Sequence, residues 1–136
     1  MIEWKLNKGR KPLILNGARQ VGKTYVLQEF AKQEFSKYVY VSLDRNEKAK
    51  KILESEASVQ SIILTLSALT GIDITPNETL IIIDEIQESP KALNVLKFFC
   101  EDAPEYPIVV AGSLLGISLH EQVSFPVGKV DMIKMY

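Results

Sequence analysis

Eight consecutive residues, Gly17, Ala18, Arg19, Gln20, Val21, Gly22, Lys23 and Thr24, spell G-x-x-x-x-G-K-T directly after the apolar run Leu13-Ile14-Leu15. Each part of this pattern has a separate electrostatic task toward a chain of phosphates. The glycines reach turn angles closed to other residues, so successive backbone N–H groups can point inward at phosphate oxygens. A helix starting near Gly22 adds the positive end of its dipole. Lys23 reaches the β- and γ-phosphates, and the Thr24 hydroxyl becomes a Mg²⁺ ligand. Tyr25, next in the chain, completes the nucleotide-binding set. A phosphate cradle implies binding; it does not imply cleavage.

Cleavage chemistry enters with Asp84 and Glu85, which end the most apolar run of the chain, Leu80-Ile81-Ile82-Ile83. An aspartate at the mouth of a buried strand can hold Mg²⁺ opposite Thr24, usually through water. The adjacent Glu85 can polarise an attacking water. Two neighbouring carboxylates repel each other unless a cation shares their site, and Mg²⁺ supplies that charge. Ser113 ends a second apolar run, Ile108-Val109-Val110-Ala111-Gly112. If that run lies between the strand of the phosphate loop and the strand of Asp84, the Ser113 hydroxyl faces the γ-phosphate and can report its presence.

These residues need a scaffold, and strand and helix signals alternate along the chain. Residues 11–16 read as a first strand, and 22–34 as a helix with Val26, Leu27, Phe30 and Ala31 on its apolar face. Residues 37–43 are β-branched and aromatic, a second strand on which Tyr38 and Tyr40 serve packing. Helices follow over 47–55 and 57–69, the latter striped by Val59, Ile62, Ile63, Leu66 and Leu69. Residues 79–84 form the next strand; continuous apolarity fits a strand covered on both faces. Ser89 and Pro90 supply a cap and a first-position proline for a helix running to about residue 103. Residues 107–112 and 130–135 are the last two strands. The alternation implies an α/β fold, a three-layer αβα sandwich around a parallel sheet.

Composition bounds what such a domain does. The 136 residues make one domain with a real core. The formal net charge is −1, so no overall field draws the chain to nucleic acid or anionic lipid. A lone cysteine, Cys100, excludes an internal disulfide and suits a reducing, cytoplasmic setting. No stretch approaches 18 apolar residues, so no membrane span is expected. His120, the single histidine, has no second ligand candidate beside it.

The segments GARQVGKT, LIIIDEIQ, VVAGS and FPVGK together resemble an AAA+ superfamily ATPase. More narrowly, they are similar to the AAA domains of bacterial and archaeal ATP-binding proteins that carry a C-terminal domain of unknown function. The resemblance spans nearly all of residues 1–136. It implies a P-loop fold with the sheet ordered 5-1-4-3-2. It also implies Lys23 and Thr24 as Walker A, Asp84 and Glu85 as Walker B, and Ser113 as sensor 1, with ATP and Mg²⁺ as ligands. Relatives often have Gly-Arg where this chain has Gly128-Lys129, and lysine lacks the planar fork that grips phosphate oxygens in pairs. The resemblance implies a helical lid and a C-terminal effector domain beyond the fifth strand, and self-association through the faces that AAA+ domains share.

Three functions fit these residues. The first is Mg-dependent ATP hydrolysis. The second is a nucleotide-sensing interaction module that binds ATP without turning it over. The third is a small-molecule or nucleotide kinase, which needs an acceptor and no water-polarising glutamate. A GTPase is disfavoured because no Asn-Lys-x-Asp guanine-reading motif occurs.

Overall fold

The computed structural model describes residues 11–17, 22–113 and 131–135; for Lys23 and for 131–135 it describes the backbone alone. Five strands form one parallel sheet: β1 (Leu13–Gly17), β2 (Lys37–Ser42), β3 (Thr79–Asp84), β4 (Ile108–Gly112) and β5 (Asp131–Met135). Read across the sheet the order is β5-β1-β4-β3-β2, as the family resemblance implies. Helix α1 (Lys23–Glu34) links β1 to β2, and α2 (Glu47–Glu54) and α3 (Val59–Thr70) link β2 to β3. Two 3₁₀ turns (Ile86–Glu88 and Pro90–Leu93) and α4 (Asn94–Asp102) link β3 to β4.

Strand residues alternate between faces, and the apolar side chains sort accordingly. Ile14, Val39, Ile81, Ile83 and Val110 pack with Leu53, Ile62, Leu66, Leu96 and Phe99 from α2, α3 and α4. Leu13, Leu15, Leu80, Ile82, Val109 and Ala111 pack instead with Leu27, Phe30 and Ala31 of α1. Every residue of β3 and β4 is buried, which is why those segments are apolar on both parities. The result is the expected three-layer sandwich.

The helix boundaries follow local chemistry. Asn46 caps α2 by accepting from the Ala49 N–H at 3.0 Å, and Ser58 caps α3 by accepting from the Ser61 N–H at 3.2 Å. Two sequence expectations need correction. Val26 is 37% exposed, because α1 meets the sheet through the narrower stripe of Leu27, Phe30 and Ala31. The segment opened by Ser89 and Pro90 begins as a 3₁₀ turn, and α4 proper starts only at Asn94. The Ser89 side chain makes no cap hydrogen bond there; its hydroxyl donates to the Glu54 carboxylate at the end of α2. Cys100 is a half-buried free thiol on α4.

Candidate functional site

All strands run the same way, so β1, β3 and β4 deliver their last residues to one edge of the sheet. Register fixes the alignment: Asn16 pairs with Gly112, Ile83 with Val110, and Ser42 with Asp84. With β4 between them, β1 and β3 lie two strand spacings apart, about 10 Å. This is the crevice at the carboxyl ends of strands where open α/β sheets bind ligands.

Gly17 is the buried last residue of β1. Gly22 then precedes α1 in a left-handed conformation, φ 73° and ψ 20°, which only glycine adopts without strain. Lys23 is the first residue of α1 and Thr24 the second. Tyr25 is 69% exposed on the same turn. Ala18, Arg19, Gln20 and Val21 lie outside the described residues, as do His120 and Lys129.

Thr24 and Asp84, 60 residues apart in sequence, meet directly. The Thr24 hydroxyl donates to Asp84 Oδ2 at 2.6 Å. The Tyr40 hydroxyl donates to the same oxygen, also at 2.6 Å, and the Glu85 N–H donates to Asp84 Oδ1 at 2.8 Å. Asp84 is only 1% exposed, and a buried carboxylate needs such donors to stay ionised. The arrangement also orients Thr24. Its proton is committed to Asp84, so its lone pairs remain for a cation. Burial, and then the hydrogen bond to Asp84, push the Tyr40 phenol up to about 12.

Sequence reading assigned Tyr40 to packing, yet its ring lines the α1 side while its hydroxyl reaches the acidic centre. The missed signal is parity. Tyr40 pairs in register with Ile82, two residues before Asp84 and on the same face. That diagonal neighbour is within reach of a long aromatic side chain.

Glu85 is 8% exposed and holds φ 56°, ψ 46°, a left-handed conformation that costs a non-glycine residue roughly 1–2 kcal/mol. Its carboxylate accepts from the Gln87 side-chain N–H₂. The other end of the same amide, Gln87 Oε1, accepts the Ser113 backbone N–H at 3.2 Å. Ser113, half-buried, thus sits at the mouth of β4 beside the Asp84-Glu85 pair. Gly112 makes this approach possible: a Cβ there would stand 2.3 Å from Gln87 Oε1 and 2.9 Å from the Ile86 nitrogen.

The donors suit one kind of metal ion. Thr24 and Asp84 offer a hydroxyl and a carboxylate, both hard oxygens. Among the described residues no cluster of three or more His, Cys, Asp or Glu side chains could hold a metal by itself. Mg²⁺ asks for no such cage, because it takes one or two protein oxygens and fills its shell with phosphate and water.

A parallel αβα sheet with a glycine turn opening α1 beneath its carboxyl edge defines the class as a P-loop nucleotide-binding domain. The chain belongs to the AAA domain family, whose model matches residues 9–136. No curated protein matches the chain. Among the described residues no helix is long and apolar enough to cross a membrane.

Proposed function

We propose that this domain binds ATP with Mg²⁺ and hydrolyses it. The observation that carries the reading is the 2.6 Å bond between Thr24 of the first α1 turn and Asp84 at the end of β3. Two segments with independent sequence signals bring a hydroxyl and a carboxylate together, the oxygen donors that Mg-assisted phosphoryl transfer needs.

Each residue then has a role. The backbone N–H groups of residues 17–24 grip the β- and γ-phosphates, with Lys23 as the neutralising ammonium. Thr24 and Asp84 would hold Mg²⁺, Thr24 through its free lone pairs, while Asp84 keeps the Thr24 hydroxyl oriented. When bound, the ion neutralises charge developing on the transferred phosphoryl. Glu85 orients a water in line with the γ-phosphorus and takes its proton. The new oxygen–phosphorus bond forms as the bond to the bridging oxygen of ADP breaks, releasing ADP and inorganic phosphate. Ser113 faces the γ-phosphate. Tyr25, exposed after the loop, is available to the rest of the nucleotide.

The test is paired. Glu85→Gln keeps ATP binding and lowers turnover by at least about a hundredfold. Lys23→Ala weakens both. Turnover by Glu85→Gln at the parental rate removes Glu85 from the chemistry. Tight binding of a fluorescent ATP analogue by the parent, with no phosphate release, supports the nucleotide-sensing module instead. ADP production that depends on an added acceptor supports a kinase.

A further inference from the structure

Gln87 is part of no phosphate-binding pattern, yet it joins two functional segments. A backbone N–H can only donate and an ionised carboxylate can only accept. The side-chain amide of Gln87 lies between one of each, so its orientation is fixed: Oε1 toward Ser113, N–H₂ toward Glu85. Flipping it would set two donors against each other at Ser113 and two acceptors against each other at Glu85. Neither end can therefore turn without releasing the other.

The surroundings keep the amide in place. Glu85 and Ile86 are buried, and the short 3₁₀ turn Ile86–Glu88 holds Gln87 against the end of β4. Gly112 leaves the space that the Gln87 carbonyl occupies, for a Cβ at 2.3 Å would evict it. Glu85 itself sits on a left-handed backbone, so its direction depends on such outside contacts.

We infer that Gln87 is a positioning residue that aims the Glu85 carboxylate and couples that aim to the end of β4 at Ser113. A displacement of Ser113 on engaging a terminal phosphate is thereby transmitted to Glu85 through one side-chain amide. This inference rests on the hydrolytic reading of Glu85, and the experiment separates the two.

The first measurement needs no turnover: amide hydrogen exchange at Ser113 in the full chain. Gln87→Met keeps the side chain's length and removes both hydrogen bonds, and Ser113 exchanges about tenfold faster. Glu85→Ala accelerates Ser113 about threefold or more, although the bond it removes is at the far end of Gln87. Unchanged exchange at Ser113 in either variant overturns the coupling.

The second measurement is kinetic. Gln87→Met lowers kcat by about ten- to a hundredfold with little change in KM, because aim is lost and binding is kept. In a Glu85→Gln background the same substitution lowers residual turnover no further. Multiplying effects in the double variant overturn the inference. Gly112→Ala, which displaces the amide from the β4 side, reproduces the kcat loss; its failure to fold leaves the Gln87→Met results decisive. If Glu85→Gln turns over like the parent, the hydrolytic reading fails. If Glu85→Gln is inactive while Gln87→Met is normal, only the coupling fails.

Discussion

Tyr40 and Thr24 donate to the same oxygen of Asp84, each at 2.6 Å, from different elements. An edge strand and the first turn of a helix thus share one carboxylate oxygen. Thr24 lies in the G-x-x-x-x-G-K-T pattern, whereas Tyr40 lies outside it and adds a second donor that holds Asp84 still. With two donors on Oδ2 and the Glu85 N–H on Oδ1, the carboxylate is locked in rotation before any cation arrives. Preorganisation of this kind lowers what ligand binding must spend on ordering.

Tyr40→Phe removes one donor and keeps the ring. Nucleotide binding without metal is expected to stay at the parental level, while the Mg²⁺ concentration for half-maximal binding of a fluorescent ATP analogue rises by about three- to tenfold. Identical Mg²⁺ titrations for the two proteins would remove Tyr40 from the metal site.

The same residue predicts an alkaline effect on stability. Tyr40 titrates at 10.0 when free and at about 12 in the fold. Between those values the unfolded chain has lost the proton and the folded chain keeps it, so stability falls as pH rises. The contribution is fully present below pH 10 and gone above 12. Its size is on the order of 1 kcal/mol, less than the full two-unit shift implies because the ring is partly exposed. Urea titrations at pH 9 and pH 11.5 should show the parent losing more stability than Tyr40→Phe. Equal losses would place the pH response elsewhere.

Glu56 offers a gain unrelated to chemistry. It follows the Ser55 cap of α2, is exposed, and holds φ 58°. Glu56→Gly relieves that conformation and stabilises the domain by roughly 0.5–1 kcal/mol. Thermal melting shows the change, and nucleotide affinity stays put.

Leu66→Ala tests the core away from the site. Leu66 is fully buried in the layer formed by α2, α3 and α4. Truncation destabilises by about 2–5 kcal/mol. At temperatures where the variant remains folded, its affinity for ATP is expected to match the parent's, because Thr24, Tyr40 and Asp84 meet on the α1 side of the sheet, away from Leu66.

What the sequence made legible follows from range. The glycine turn at Gly22 that opens α1, the buried runs of β3 and β4, and the placement of Asp84 and Ser113 at strand ends depend on short windows, where periodicity and glycine placement speak directly. The sheet order came through the family resemblance rather than through any local signal. Tyr40 was missed because its partner is 44 residues away and the pairing depends on strand register. The pairing of Gln87 with both Glu85 and Ser113 lies beyond any short window, for it depends on how closely β4 approaches the 3₁₀ turn. Val26 was misread because helical periodicity gives the centre of an apolar stripe and not its width.

The left-handed backbone at Glu85 sets chemistry against robustness. Glycine or asparagine would rest there more comfortably, so on the hydrolytic reading a lineage freed from nucleotide turnover has a standing reason to replace the acid. Retired copies of this domain should then be recognisable by Asp-Gly or Asp-Asn where this chain keeps Asp84-Glu85, and they should melt later than the working form.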